Sequence, residues 1–224
     1  MKRKIITTAD GSKTIQIEEW NEQYHSVHGS INEAIHVYIK HGLLFYYTEF
    51  HNAQNPISVL EVGFGTGLNA ILSLKESEAL NIMVDYTGVE AYPVSHSELE
   101  QLNYIEALNL DAAIFNVLHE VPWETKQQIT NNFLLTKQQK TFDKISESER
   151  YDVIYYDAFG ARVQPELWTE EMFEKMFKTL KPDGVLVTYS AKGSVKRALT
   201  SVGFEIERLK GPPGKRHMLR AIKR

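Results

Sequence analysis

Residues 58–69, Ser-Val-Leu-Glu-Val-Gly-Phe-Gly-Thr-Gly-Leu-Asn, constrain this chain more than any other stretch. A short apolar run (Val59, Leu60, Val62) has the pattern of a buried strand and passes directly into three alternating glycines, then into a helical pattern. In an open α/β sheet such a turn lies at the carboxyl end of a strand, where ligands bind. Gly63, Gly65 and Gly67 let the backbone turn tightly and approach a ligand closely. A dinucleotide fingerprint needs a glycine three residues after its second one. Here that position is Leu68, so the turn is of another kind.

A second signal follows. Residues 81–90 read as another strand, ending in a carboxylate. Glu90 stands 23 residues past Gly67, close to the roughly 20-residue offset at which an acidic side chain takes a ribose hydroxyl pair. Its competing role is to cap a helix that begins near Ser95. The spacing Gly-x-Gly-x-Gly after an acidic strand residue, Glu61, resembles the turn of S-adenosylmethionine methyltransferases.

The rest of the chain alternates strands and helices, which implies an α/β fold with a mainly parallel sheet. Strands are expected near 14–17, 58–62, 82–89, 133–136, 151–156 and 185–189, with a closing pair near 204–209 and 216–222. Helices are expected near 31–50, 67–80, 95–108, 170–180 and 193–202, and Thr169 is a good N-cap for the fourth. Residues 109–131 read as a helical insertion interrupted by Pro122-Trp123, and 181–184 (Lys-Pro-Asp-Gly) as a turn. The expected architecture is a Rossmann-like, seven-stranded sheet with an antiparallel edge strand. Residues 58–224 form that unit, and residues 1–57 a small N-terminal extension packing over the cofactor site.

The chain has 224 residues, 42% of them hydrophobic and 24% charged, as in globular domains of ordinary size. No apolar stretch approaches the roughly 20 residues needed to span a bilayer, and the basic start lacks the apolar core of a signal peptide. A cytoplasmic protein with no membrane partner is expected, with a monomer as the working assumption. With no cysteine, there is no thiolate nucleophile and no Cys-type zinc site. The histidines at 25, 28, 36 and 41 lack zincin spacing, so no metal is expected. Tyr189-Ser190 reads as the end of a strand lining the ligand pocket, and Ser190 has no Gly-x-Ser-x-Gly elbow. Trp123 and Trp168 read as packing aromatics. Charge is uneven: residues 192–224 hold ten Lys/Arg against two Glu, on a chain whose net charge is −4. A basic segment on an acidic body suits a phosphate backbone, or is simply a solvated helix and hairpin.

Asp157-Ala158-Phe159 follows the apolar strand 151–156, which sets the carboxylate at the sheet's carboxyl edge beside the glycine turn. Methyl transfer from a sulfonium is an in-line displacement by a neutral nucleophile about 3–3.5 Å from the methyl carbon. A carboxylate can accept an amine N–H, aim the lone pair and help take the proton. Phe159 can stack on a base or flank a cation. The alternative is that Asp157 only caps the turn after its strand.

With these residues in view, the chain resembles the methyltransferase part of MnmC and its stand-alone form, MnmD. The similarity lies in residues 61–69, in Tyr-Asp-Ala-Phe (156–159) followed by Pro-Glu-Leu-Trp-Thr (165–169), and in residues 180–199. It continues in Gly203-Phe204, in 214–219 (Gly-Lys-Arg-His-Met-Leu), and in Tyr24-His25-Ser26, Gly29 and Glu33. The resemblance implies an enzyme that methylates the 5-aminomethyl group of wobble (2-thio)uridine, giving the 5-methylaminomethyl form. S-adenosyl-L-methionine is the implied cofactor, S-adenosyl-L-homocysteine the product, and a tRNA anticodon stem-loop the partner. Gly63, Phe64, Gly65, Thr66, Gly67 and Asn69 would line the cofactor pocket, with Glu90 on the ribose and Asp157 catalytic beside the amine. Tyr24, Ser26 and Glu33 would cover the cofactor's methionine end. Phe159 would meet the base, and Lys192, Lys215 and Arg216 the anticodon phosphates.

Two departures stand out. An acidic residue that contacts adenine usually follows the third strand, but residues 136–141 hold none; Asp143 is the nearest, and Gln138 or Gln139 could serve instead. MnmC also carries a flavin module, and this chain has no second nucleotide-binding turn. No flavin is expected, and the aminomethyl substrate would be supplied by another route. Two other readings remain: a methyltransferase of a small amine such as a polyamine, and a catalytically silent RNA-binding module.

Overall fold

The computed structural model describes residues 2–52 and 55–224. The chain opens with a three-stranded antiparallel sheet of β1 (Arg3–Thr7), β2 (Lys13–Ile17) and β3 (Glu22–Gln23). Strand β2 matches its expected position. Strand β1 was hidden in sequence because Arg3 and Lys4 make it look like a basic tail; pairing Ile5 with Ile15 gives it one inward face. A continuous helical run follows, made of α1 (Ser30–Ala34), a π-helical stretch (Ile35–Leu43) and α2 (Leu44–Glu49).

The main sheet begins with β4 (Ile57–Val62), and the glycine turn leads into α3 (Leu68–Leu80). Then come β5 (Val84–Glu90), the short helices α4 (His96–Leu99) and α5 (Tyr104–Ala107), and α6 (Ala112–Glu120). Strands β6 (Gln127–Thr130), β7 (Phe133–Gln139) and β8 (Tyr151–Tyr156) follow, then α7 (Glu170–Thr179) and β9 (Leu180–Thr188). Helix α8 (Gly193–Ser201) and the hairpin β10 (Glu205–Lys210) and β11 (His217–Ile222) close the chain.

The sheet has eight strands rather than seven, in the order β10-β11-β9-β8-β4-β5-β7-β6. The extra strand is β6, which pairs antiparallel with β7 across a two-residue Asn131-Asn132 turn. It arises inside the segment expected to be helical, whose helix stops at Pro122. The other edge is antiparallel as well, through β11 on β9. The single helix expected over 95–108 is two pieces, with Asn103 as N-cap of the second. Residues 181–184 form a bulge within β9, with Asp183 at φ 60°, where the pairing with β8 jumps from Leu180 to Val185.

Strands β4 and β8 are nearly continuous apolar runs because both faces of the sheet are covered. On one face Val153 and Tyr155 pack with Val37, Tyr38, Leu43, Ile71 and Leu74. On the other, Ile154 and Tyr156 pack with Phe173, Met176 and Leu199. Each such side chain stabilises the fold by about 1.5–3 kcal/mol relative to exposure. The segment ahead of β4 thus makes two contributions: its helix is part of the core, while β1–β3 lies by the carboxyl end of the sheet, where Arg3 donates to the Tyr92 carbonyl just past β5. No helix among the described residues is long and apolar enough to cross a membrane.

From β4 the chain winds outward through β5 and β7, then returns to β8 on the other side of β4. That reversal opens a crevice at the carboxyl ends of β4 and β8, the place where open α/β sheets bind ligands. The glycine turn follows one of these strands and Asp157 the other.

Candidate active site

The glycine turn is shaped by what each glycine faces. Gly63 has φ 99°, and a Cβ there would lie 2.8 Å from the Asp157 carbonyl oxygen. The two strand ends therefore touch backbone to backbone. Gly65 has φ 50°, and its Cβ would meet the Tyr24 ring at 3.0 Å. Its N–H donates to Glu90 Oε2 (3.1 Å), and the Tyr92 N–H donates to Oε1 (2.9 Å). Two backbone donors thus fix the carboxylate at the end of β5, and it lines the cavity beside the turn.

Asp157 is the centre of a buried polar chain. Its Oδ1 accepts from the Tyr38 hydroxyl (2.5 Å) and its Oδ2 from Asn69 Nδ2 (2.9 Å). The same amide group donates to Glu61 Oε1 (2.8 Å), and the Tyr86 hydroxyl donates to Glu61 Oε2 (2.8 Å). Burial pushes the Asp157 carboxyl up to about 7; Glu33 adds to this, and the Tyr38 and Asn69 hydrogen bonds oppose it. Burial, then the nearby Asp157, raises Glu61 well above the usual carboxylate range. The loop carrying Asp157 is pinned on its far side: Tyr189 donates to the Ala158 carbonyl (2.9 Å) and Trp168 Nε1 to the Phe159 carbonyl (2.8 Å).

Two cavities meet at this loop. The larger, about 430 Å³, is bordered by Tyr24, Glu61, Gly63, Gly65, Glu90 and Asp143, among others. The smaller, about 220 Å³, is lined by Glu22, Ser26, Glu33, Tyr189 and Lys215. Tyr24, His25, Asp157, Ala158 and Phe159 border both. Phe159 stands edge-on to Trp20 and Tyr24, with centroids at 5.7 and 5.1 Å.

The sequence-derived residues divide accordingly. Tyr24, Gly63, Phe64, Gly65, Glu90 and Asp157 border the larger cavity, although the Phe64 ring turns inward, edge-on to Trp123. Thr66 lines neither cavity: its hydroxyl is buried and bonded to the Tyr104 hydroxyl (2.9 Å). Gly67, at φ 75°, is the N-cap of α3 and is enclosed by His119, Leu118 and Phe64. Asn69 acts one step back, as the bridge between Glu61 and Asp157. Ser26 and Glu33 belong to the smaller cavity rather than to the larger one. Lys215 is there too, in an ion pair with Glu33 (2.5 Å) and 3.9 Å from the Tyr189 ring centroid. Lys192 and Arg216 are exposed and line neither cavity. Among acidic and amide candidates after the third parallel strand, Asp143 borders the larger cavity and Gln138 and Gln139 do not.

Three site residues escaped the sequence reading. Tyr38 looked like one more core aromatic of an amphipathic helix; only the rule that a buried hydroxyl finds a partner marks it. Tyr189 was placed at a pocket-lining strand end, but without its partners. His25 is held through Nδ1 to Thr14 Oγ1 (2.9 Å), and burial pushes it down to about 4, so it is neutral at pH 7. No spacing rule links it to Asp157.

The larger cavity fits an adenosyl group with an attached amino acid. Its volume is in the range of small-molecule sites, a backbone-anchored carboxylate faces it, and Gly65 leaves room that a Cβ would fill against Tyr24. Comparison with known proteins agrees. Residues 119–224 match the model of a family described as S-adenosyl-L-methionine-dependent methyltransferase. The bifunctional protein MnmC of Pseudoalteromonas atlantica, described as acting in tRNA 5-methylaminomethyl-2-thiouridine biosynthesis, is 27% identical over 97% of this chain. The chain spans 33% of that relative's length. The crystal structure of MNMC2 from Aquifex aeolicus superposes with a TM-score of 0.80 at 25% identity, covering 98% of this chain and 69% of that one. Spermidine synthase from Thermotoga maritima shares the fold, with a TM-score of 0.57 at 14% identity over 99% of this chain and 68% of its own. In fold, in site and in these relatives, the chain is similar to the S-adenosyl-L-methionine-dependent methyltransferases of the MnmC type.

Proposed function

We propose that the chain methylates the primary amine of 5-aminomethyl-(2-thio)uridine at the wobble position of tRNA, giving the 5-methylaminomethyl form. The observation that carries this reading is the position of Asp157. It borders both cavities, with a carboxyl poised near neutrality between Tyr38 and Asn69. The MnmC likeness supplies the substrate.

When bound, S-adenosyl-L-methionine supplies an electrophilic methyl group. The glycine turn, Tyr24, Glu90 and Asp143 are the residues that would hold it. Glu90 suits a ribose diol because its backbone bonds leave lone pairs toward the cavity. Asp157 does the work on the amine side. An ammonium entering the smaller cavity meets Asp157 as a carboxylate above about pH 7 and can leave a proton on it. The amine then points its lone pair toward the larger cavity, with one N–H still directed at an oxygen of the now protonated carboxyl group. Tyr38 and Asn69 fix both carboxylate oxygens, so the geometry is set before substrate arrives. Phe159 offers an aromatic ring to an unstacked base, the usual mode of single-stranded RNA recognition. Lys192 and Arg216, with Lys196 and Arg197, are exposed and make no ion pair among the described residues, which leaves them for phosphates. In this reading residues 58–224 carry catalysis, residues 1–57 supply the cover and one core helix, and the reaction needs neither metal nor flavin. A cytoplasmic location follows from the substrate.

A small-amine substrate is the second reading, favoured by the three carboxylates, Glu22, Glu33 and Asp157, that border the smaller cavity. The deciding experiment uses labelled S-adenosyl-L-methionine with two tRNA pools, one carrying aminomethyl wobble uridine and one fully modified. Label in methylaminomethyl uridine from the first pool alone is the expected result. No label in either, with cofactor still bound, would shift the assignment to a small amine, whose binding lacks the steep salt dependence of RNA.

A further inference from the structure

Lys215 is oddly placed for a residue that resemblance assigns to a phosphate. It sits at the tip of the β10–β11 hairpin, in a turn closed by Lys215 N–H to the Pro212 carbonyl (3.0 Å) and Gly211 N–H to the Arg216 carbonyl (3.2 Å). The tip presses on the 25–29 segment so closely that a Cβ on Gly214 would overlap His28. From there the side chain turns inward. Its Nζ is 2.5 Å from Glu33 Oε2 and 3.9 Å from the Tyr189 ring centroid, within the cavity that Asp157 borders. Glu33 is itself nearly buried. A buried carboxylate beside an aromatic face is what a desolvated primary ammonium requires, and here a primary ammonium of the protein's own occupies the place.

We infer that Glu33, Tyr189 and Asp157 form a subsite for a primary ammonium, filled in the free protein by Lys215 and vacated when a substrate phosphate draws Lys215 outward. The inference rests on the proposed function for the identity of the incoming amine. The charges favour exchange over simple addition. With Lys215 in place, Glu33 is neutralised, Glu22 is held by Arg162, and of the three carboxylates bordering the cavity Asp157 is left to receive an ammonium. Once Lys215 leaves, two buried carboxylates face the cavity and the pull on an ammonium rises. The Lys215 side chain is already partly exposed, and its flexible four-carbon stem lets the ammonium turn out of the cavity beside its exposed neighbour Arg216. A free amine without phosphates would have to compete with Lys215 unaided, so the plug selects for RNA-borne amines.

The test measures dissociation constants on the S-adenosyl-L-homocysteine complex for two probes: the nucleoside 5-aminomethyluridine, which has no phosphate, and an anticodon stem-loop carrying the same base. Lys215→Met should move the two in opposite directions. If the plug fills the subsite about nine-tenths of the time, its removal tightens nucleoside binding about tenfold. The stem-loop should bind several-fold more weakly, with a salt slope smaller by about one. Glu33→Gln should weaken both. An unchanged affinity for S-adenosyl-L-homocysteine shows that a variant is folded, and Lys215→Gln replaces the methionine variant if it is not. Nucleoside binding that is weaker or unaltered in the Lys215 variant, or absent from both proteins, overturns the subsite. A nucleoside that tightens as expected while the stem-loop binds to neither protein upholds the subsite and removes the tRNA reading instead.

Discussion

The two cavities that meet at Asp157 are built in opposite ways. The larger one rests on a local device: one strand, one glycine turn and the end of the neighbouring strand bring Gly63, Gly65 and Glu90 together through backbone hydrogen bonds. The smaller one is assembled from side chains remote in sequence, Glu33 from the first helix, Asp157 after β8, Tyr189 after β9 and Lys215 from the last hairpin. On the proposed reading, a common cofactor is held by a common turn, whereas an unusual amine needs contacts gathered from the whole chain. The comparison breaks if changes in one cavity are felt equally in the other.

The largest effect is expected where the cavities join. Asp157→Ala should lower kcat by about 10²–10⁴, the usual contribution of a positioned acid or base, while cofactor affinity stays within about twofold. Calorimetry with S-adenosyl-L-homocysteine separates the two quantities. The pH dependence has a definite sign. A carboxyl raised to about 7 is protonated below that pH and accepts a proton only above it. kcat/KM should therefore fall as pH drops through 7, and Asp157→Asn should lose that limb. Wild-type turnover in either variant would remove Asp157 from the reaction.

Next in size is a change confined to the larger cavity. Gly65→Leu places a side chain at φ 50° against the Tyr24 ring and should weaken cofactor binding about 100-fold, close to 3 kcal/mol. Binding of aminomethyl nucleoside should change by no more than about threefold. Gly63→Ala is the contrasting case, because its Cβ would strike the Asp157 carbonyl at 2.8 Å and disturb both cavities. If Gly65→Leu weakens the two ligands alike, the cavities are one site.

The same contrast explains what could be read in the sequence. The parallel sheet and the positions of the glycine turn, Glu90 and Asp157 at its carboxyl end were legible because each follows from a run of neighbours: apolar strand, turn, acid. Tyr38 was not, since its partner lies 119 residues away. Lys215 was noticed as a charge but its direction was not, because a lysine pattern does not say whether the ammonium faces solvent or a buried carboxylate. Strand β6 was missed for a local reason: Gln127–Thr130 has little apolar content, and it becomes a strand by pairing with β7. Thr66 and Gly67 were read as ligand contacts because the turn is a contiguous motif. In the fold the second half of that motif turns away to start α3.

A third prediction concerns the polar chain behind both cavities. Asn69→Ala removes one donor from Glu61 and one from Asp157, leaving two buried acids less satisfied. A stability loss of about 1–3 kcal/mol is expected, measured by urea unfolding, with kcat reduced through misplacement of Asp157. A variant as stable as wild type would mean that water replaces the amide.

The smallest effects test whether the cover over the site moves as one piece. Two arginines hold the N-terminal sheet down on opposite sides. Arg3, bordering the larger cavity, donates to the Tyr92 carbonyl (3.0 Å) and to Glu98 (3.2 Å). Arg162 donates to the Trp20 carbonyl (2.7 Å) and to Glu22 (2.6 Å), a residue of the smaller cavity. The Arg162 latch is exposed, so its loss should cost no more than about 1 kcal/mol; Arg3 is mostly buried and also lies over the Tyr24 ring, so its loss should cost about 1–2 kcal/mol. Arg3→Ala should speed cofactor release and leave amine binding alone. Arg162→Ala should weaken amine binding and leave cofactor release alone. If either variant alters both equally, the sheet lifts as a rigid lid and the cavities open together. In that case the distinction between a locally built cavity, proposed for the cofactor, and a dispersed one, proposed for the amine, holds for their construction but not for their motion.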